Sequence, residues 1–326
     1  MTVQLLPFAM SLLLAGEPPL AIAVHGGAGS FAPGILSAEE EAEARADLRR
    51  ALEAGWTVLA AGGGALDAAV AAVVVLEDSP HFNAGRGAVF NAAGEHELDA
   101  ALMDGANARA GAVAAVRGIR NPILAARAVM EQTAHVLLVG QGAEDFARAQ
   151  GLAFAPSEWF HSERRRRAFE QARERGAVSG GTVGAVALDR QGRLAAATST
   201  GGMTYKLPGR VGDAPLPGAG TWAERGCAVS ATGAGEFFIR TAAARTLCLR
   251  VTWRGETPEE AARALLAEID ALGGEGGFIV LDVQGRAALP FTTEGMARAY
   301  RGPDGEFVRL FADRLEEEAS PPHHNR

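Results

Sequence analysis

The sequence is poor in several things. Among its 31 basic residues there is one lysine, Lys206. It has two cysteines, Cys227 and Cys248. Two cysteines cannot build a disulfide framework, so both are expected to behave as small apolar residues. No apolar run reaches the roughly 18 residues that a membrane-spanning helix needs. Positive charge is in deficit: the net charge is −8 and the isoelectric point is near 5.5. That argues against a nucleic-acid-binding surface. The near absence of lysine points to a general preference for arginine, and it makes the place of Lys206 worth following.

What is present is ordinary for a globular protein, with one exception. Hydrophobic residues make up 48% and charged residues 21% of 326 residues, enough for one large domain or two modest ones. Glycine is the exception, at 41 residues, nearly twice the usual share of about 7%. Glycine marks places where the backbone turns sharply or approaches something closely. Residues 5–16 (LLPFAMSLLLAG) have the length of a signal-peptide core, but no lysine or arginine precedes them and no A-x-A site follows. Residues 1–19 are therefore expected to be an extension of a cytoplasmic protein. The alternative is a signal segment, with a periplasmic or secreted product.

Residues 20–24 (LAIAV) read as a short buried strand entering a glycine turn, HGGAG at 25–29. Helical spacing covers 38–62 and 65–78, and 82–105 reads as loop plus strands. A strand over 110–119 precedes a helix over 121–133, with Asn121 as N-cap and Pro122 next to it. HVLLVG at 135–140 reads as another buried strand. A charged helical stretch, 157–176, gives way to the small AVSGG at 177–181. Beyond it come a hairpin (182–189 and 193–202), a strand over 227–233 running into a helix over 235–251, and a helix over 257–272 capped by Thr257 and Pro258. A second hairpin (277–291), a last strand (307–311) and a flexible tail (313–326) follow. Hairpins and paired helices in both halves favour antiparallel sheets layered with helices over a parallel βαβ sheet.

Four motifs carry chemistry. The first is Gly180-Gly181-Thr182-Val183-Gly184. It fits the spacing of a nucleophile elbow with threonine for serine, but an elbow needs strand, turn, then helix. Thr182 instead opens a strand. A nucleophile there, behind a charged linker, suits a chain that cuts itself before Thr182. Its freed α-amine, with a pKa near 7.7, can then act as base for its own hydroxyl. The plain alternative is a threonine starting a strand. The second is Ser199-Thr200-Gly201-Gly202, which the 189–193 turn brings back beside Thr182. Thr200 can orient the nucleophile or simply pack across strands. In the third, Arg210 and Asp213 sit three residues apart and complement the carboxylate and ammonium of an α-amino acid, or form a surface pair of little worth. The fourth, Thr232-Gly233-Ala234-Gly235-Glu236, places backbone amides at a helix start, where an oxyanion is stabilised. Losing one such donor costs about 3–4 kcal/mol of barrier; the alternative is a plain helix start.

Other features carry less. HGGAG and GGGALD lack the G-x-x-x-x-G-K-[ST] pattern of a phosphate loop. His25 reads as a strand-end residue rather than an acid or base. Glu97, Asp99 and Asp104 are not spaced as metal ligands and read as structural polar contacts. Lys206 reads as a turn-stabilising contact to a carbonyl.

Together, GGTVGAVALD, AAATSTGGMTYKLPGRVGDAPLPGAG and SATGAGEFFIR resemble the isoaspartyl peptidase/plant-type L-asparaginase family of N-terminal-nucleophile hydrolases. HGGAG, FNAGRGAVF (82–90) and HELDAALMDG (96–105) resemble motifs of the same family, so the likeness spans about 20–298. It implies an α+β fold, a four-layer αββα sandwich of two antiparallel sheets. One domain over 20–312 is cut between Gly181 and Thr182 into α and β subunits, which assemble as (αβ)2. Thr182 would be the nucleophile and Thr200 its support. Arg210 and Asp213 would bind the substrate, Thr232 and Gly233 would form the oxyanion hole, Gly235 would line the site, and Asn83 would lie near the nucleophile. No cofactor is implied for catalysis. A structural sodium ion is implied, held by the backbone carbonyls of Leu76, Glu77, Ser79, Phe82, Ala84 and Arg86. The substrates implied are isoaspartyl dipeptides and L-asparagine, with no nucleic-acid or membrane partner. Two departures stand out: Ala234 where relatives can carry a hydroxyl, and a short, arginine-rich linker. Glycosylasparaginase action remains an alternative, although Gly201-Gly202 replaces the Asn-Gly usual there. An amino-acid-binding protein that never matures is the non-enzymatic alternative.

Overall fold

The computed structural model describes residues 18–29, 31–32, 34–176 and 180–312. Most of the expected extension, residues 177–179 of the AVSGG stretch and the tail 313–326 lie outside the described residues. In chain order the elements are β1 (Ala21–Ala28), α1 (Ala38–Ala60), α2 (Ala65–Asp78), β2 (Leu98–Asp104), β3 (Arg109–Val116), α3 (Pro122–Gln132), β4 (Leu137–Val139), α4 (Gly140–Ala149) and α5 (Glu163–Arg175). The second half adds β5 (Val183–Leu188), β6 (Leu194–Thr200), β7 (Thr221–Glu224), β8 (Cys227–Gly233), α6 (Gly235–Arg240), α7 (Ala243–Arg254), α8 (Pro258–Ala271), β9 (Gly276–Asp282), β10 (Ala287–Ala288), β11 (Gly295–Gly302) and β12 (Gly305–Phe311).

The strands form an eight-stranded sheet, ordered β12-β11-β1-β5-β6-β2-β3-β4, and a four-stranded sheet, ordered β10-β9-β8-β7. Side chains alternate along each strand, and that alternation builds the layers. Ile22 and Val24 of β1, with Val183, Ala185 and Ala187 of β5, face α1, α2 and α3. Their neighbours Ala21, Ala23, Val186 and Leu188 face the smaller sheet, where Ala228, Ile279 and Leu281 meet them. Phe278 and Val280 of β9 turn outward to α7 and α8. The order is helices, sheet, sheet, helices. Strands covered on both faces read as unbroken apolar runs, as LAIAV and VGAVAL do.

Local chemistry sets many boundaries. Ser37 and Glu40 form a capping box at α1, and Thr257 and Glu260 form another at α8. The turn between β5 and β6 is Asp189-Arg190-Gln191-Gly192-Arg193, and the one between β9 and β10 is Asp282-Val283-Gln284-Gly285-Arg286. In both, one oxygen of the aspartate takes backbone amides and the other takes the arginine Nε, at 2.7 and 2.6 Å.

Four expectations are corrected. The larger sheet is mixed, because β4 pairs parallel with β3. β4 is also a short edge strand, with Val139 about half exposed. The helix expected over 235–251 is two helices that break at Ala242, where φ is +46°. No glycine or proline announces this break. It comes from packing, because the carbonyls of Gly218 and Ala219 take the amides of Arg245 and Ala244 and draw the start of α7 onto that loop. Asn121 stands at the N-cap of α3, but its side chain makes no cap bond and reaches Asp78 instead.

The fourth correction concerns the cysteines. Cys227 on β8 and Cys248 on α7 form a disulfide, with Cα atoms 5.5 Å apart. Only the packing of α7 on β8 brings them together, which sequence spacing does not reveal. Closing a loop of this length stabilises a fold by about 3 kcal/mol. Replacing both cysteines by alanine should lower the melting temperature, and the unreduced, denatured wild type should take up no thiol reagent; calorimetry and thiol titration check this.

Candidate active site

The layer between the sheets changes character at one end. Along β1 the residues facing it run Ala21, Ala23, His25; along β8 they run Ala228, Ser230, Thr232; along β6 they run Leu194, Ala196, Thr198, Thr200. Alternation thus collects His25 and a set of hydroxyls on one buried floor. His25 Nε2 meets Ser230 Oγ at 2.8 Å, and Ser230 Oγ meets Thr198 Oγ1 at 2.7 Å. Burial lowers the His25 pKa to about 3, against an opposing contact with the Thr182 main chain. The ring is therefore neutral at neutral pH, and so low a pKa makes it a weak base. Room for this network comes from Gly184, where a Cβ would lie 2.0 Å from Ser230 Oγ.

Thr182 stands at the entrance to β5, 5% exposed. Register places Val183 opposite Ser199 and so brings Thr182 beside Thr200. Thr182 Oγ1 donates to Thr200 Oγ1 at 3.2 Å, and Thr200 Oγ1 donates to the Gly181 carbonyl at 3.1 Å. Asn83 Nδ2 reaches the same carbonyl at 2.8 Å and the Gly202 carbonyl at 2.7 Å. Gly181 has φ of +76°, a conformation that favours glycine. The carbonyl of the Gly181–Thr182 peptide thus holds two donors, with a hydroxyl next to it. In a dry site such donors stabilise negative charge developing on oxygen.

Thr232 is fully buried and its Oγ1 accepts from the Ala28 amide at 3.0 Å, which leaves its hydroxyl hydrogen to donate elsewhere. Gly27 lies between the two threonines: a Cβ there would come 3.0 Å from the Thr182 nitrogen. The helix after Gly233 is only the six-residue α6. Its dipole is short.

Arg210 and Asp213 come together with Gly235, where a Cβ would lie 2.6 Å from Asp213 Oδ1 and 3.1 Å from Arg210 Nη2. Any side chain at 235 would fill the space between them. Arg210 is not paired with Asp213. Its Nε and Nη2 both donate to the Glu236 carboxylate at 2.9 Å, a partner the sequence reading missed. Glu236 lies in the first turn of α6, and that position was the available signal. Asp213 is buried, its Oδ2 has no hydrogen-bond partner, and burial raises its pKa to about 6, opposed by its own amide and by Arg210. A buried carboxylate oxygen without a donor has room for a further hydrogen-bond donor.

Glu77 was also missed as a side chain. At the end of α2 its Oε1 accepts from Ser199 Oγ at 2.6 Å and from the Ile123 amide at 3.0 Å, and burial raises its pKa to about 8. It ties the neighbour of Thr200 to the 76–86 loop. That loop is curled: at Gly85 and Gly87 a Cβ would lie 2.4 Å from the Glu77 carbonyl oxygen and 2.0 Å from that of Phe82. With no cluster of acidic, histidine or cysteine ligands among the described residues, backbone carbonyl oxygens are the donors this loop offers, the kind a hard cation takes.

The raised Asp213 pKa also bears on stability. A carboxyl whose folded pKa lies above its unfolded value of 3.8 is at its most favourable at low pH, and loses that contribution as pH rises through about 6. Asp213→Asn should therefore melt higher than the wild type at pH 8, by up to about 3 kcal/mol, and close to it at pH 4. Thermal melts at the two pH values check this.

A family model described as asparaginase matches residues 18–308. The isoaspartyl peptidase of Escherichia coli is 49% identical over 294 residues, covering 86% of this chain and 92% of that protein. The isoaspartyl peptidase/L-asparaginase of Xenopus laevis is 45% identical, covering 85% and 91%. The plant-type L-asparaginase of Pyrobaculum calidifontis is 44% identical, covering 86% and 97%. With this match over nearly all of its described length, the chain belongs to the asparaginase family.

Proposed function

We propose that the protein is a self-processing threonine amidohydrolase that releases L-aspartate from β-aspartyl dipeptides and from L-asparagine. The observation that carries this reading is the doubly held Gly181 carbonyl beside the Thr182 hydroxyl. In the uncut chain, Thr182 Oγ1 attacks the Gly181 carbonyl carbon. Asn83 Nδ2 and Thr200 Oγ1 stabilise the oxyanion, the C–N bond breaks as the hydroxyl proton passes to the Thr182 nitrogen, and water hydrolyses the resulting ester. The product is a chain ending at Gly181 and another beginning with the free amine of Thr182.

That amine then serves the second reaction. Arg210 holds the α-carboxylate of the substrate by the edge of its fork away from Glu236, and Asp213 holds the α-ammonium. The side-chain amide of the aspartyl group is thereby presented to Thr182. The amine takes the hydroxyl proton as Oγ1 attacks, and passes it to the departing amine or ammonia. The Thr232 hydroxyl and the Gly233 amide stabilise the tetrahedral oxyanion. A water activated by the same amine cleaves the β-aspartyl ester and frees aspartate.

Two attendant features belong to the same reading. The 76–86 loop would hold sodium through the carbonyls of Leu76, Glu77, Ser79, Phe82, Ala84 and Arg86 and so stiffen the segment carrying Asn83. The cleaved pairs would assemble as (αβ)2. Replacing sodium with choline at constant ionic strength should lower the melting temperature of the protein, and an unchanged melt would contradict the cation site. Sedimentation should give twice the mass of one chain.

Purified protein on a denaturing gel should show two fragments. Thr182→Ala should leave one full-length band and abolish aspartate release, and Asn83→Ala should slow the appearance of the fragments by about 10²–10³-fold. Faster hydrolysis of GlcNAc-Asn than of β-Asp-Leu would move the assignment to a glycosylasparaginase. Tight aspartate binding by an uncut, inactive wild type would favour an amino-acid-binding protein.

A further inference from the structure

Lys206, the only lysine of the chain, is buried, with 2% of its surface exposed. An ammonium is strongly hydrated, so burying it needs close partners. Its Nζ donates to the Glu97 carbonyl at 3.0 Å and stands 3.8 Å from Asp99 Oδ2. Asp99 is fully buried, and its other oxygen accepts from the Ala115 amide at 2.7 Å. Sheet register sets Asp99 of β2 directly opposite Thr200 of β6, so the two side chains leave the same face.

The pair meets the active site at one residue. At Gly202 a Cβ would lie 2.9 Å from both Cδ and Nζ of Lys206. Gly202 has φ of +83°. In that conformation its amide donates to Thr200 Oγ1 at 2.9 Å, while its carbonyl accepts from Asn83 Nδ2 at 2.7 Å. The lysine stem therefore backs the turn that fixes both Thr200 and Asn83. The other end of the same loop has a separate anchor: Glu97 Oε2 accepts from the Gly209 amide at 2.9 Å, next to Arg210.

We propose that the buried Asp99–Lys206 pair is a positioning element for the chemical step, holding the Gly202 turn so that Thr200 Oγ1 stays aligned on Thr182, while the Glu97 carboxylate positions Arg210 for substrate binding. The inference rests on the reading of Thr182 as nucleophile. Neither Asp99 nor Lys206 touches the substrate. The two anchors act on different steps, because one sets the reacting hydroxyl and the other sets the group that holds the carboxylate. A lysine present only to fill volume would be replaced by methionine without kinetic effect.

The test is steady-state hydrolysis of β-Asp-Leu, expressed per cleaved chain, with thermal melts alongside. Lys206→Met alone strands the Asp99 charge and should melt low. The double variant Asp99→Asn/Lys206→Met removes both buried charges while keeping volume, and should remain folded. Its kcat should fall by about 10²-fold, the scale of a small misplacement of a reacting group, with KM changed by less than about twofold. Glu97→Ala should do the reverse, raising KM with kcat kept within about twofold. A double variant whose kcat stays within about twofold of the wild type, or whose loss lies in KM alone, overturns the proposal. Thr182→Ala, run in parallel, separates the two readings. Turnover by that variant would sink the nucleophile assignment, whereas an inactive Thr182→Ala beside a wild-type-like double variant sinks only the positioning role.

Discussion

A hydroxyl–hydroxyl contact of 3.2 Å between Thr182 and Thr200 is the interaction on which the account of this molecule turns. It exists because a five-residue aspartate-arginine turn sets the β5–β6 register, and because glycines around it leave no side chain in the way. β5 is mostly alanine, valine and glycine and β6 mostly alanine, serine and threonine, so small side chains let the two sheets approach and exclude water from the floor they share. In that dry layer a hydroxyl has few competitors for its hydrogen bonds, and each fixed donor is worth more than it would be in water. The same floor links Ser230 and Thr198 to a neutral His25, with Thr182 and Thr232 beside them.

The site is held against its own cost. Asp213 and Glu77 are buried carboxyls whose pKa values are raised by desolvation, and Asp213 keeps an oxygen without a donor. Such groups destabilise a folded chain unless a ligand or partner completes them. Three packed layers of apolar side chains offset that cost, and the Cys227–Cys248 link ties the strand bearing Thr232 to the helix behind it. Functional strain of this kind belongs where packing around it is extensive.

The sequence disclosed most of the scaffold and part of the site. Small and apolar runs bounded by turn residues announced β5, β6, β8 and β9, and capping residues announced α3 and α8. Of the four motifs, the first meets the second at Thr182 and Thr200, and the third meets the fourth at Asp213 and Gly235. What stayed hidden depends on tertiary placement. The break at Ala242 is imposed by the 218–219 loop, and no local residue signals it. The disulfide needs α7 folded onto β8. Glu236 reads as an ordinary first-turn acid until Arg210 arrives from 26 positions away. The plain alternative for Arg210, a surface pair with Asp213, fails for the same reason, since the Glu236 carboxylate takes two N–H groups of its fork. Lys206 was legible as a contact to a carbonyl, which it makes with Glu97, but its relation to Gly202 is a matter of packing alone.

The central claim is that the chain becomes an enzyme by freeing the amine of one threonine. N-terminal sequencing of the smaller fragment from freshly purified protein tests it most directly. The account predicts a start of Thr-Val-Gly-Ala-Val. A fragment beginning at any other residue, or hydrolysis by a chain that remains whole, would contradict it.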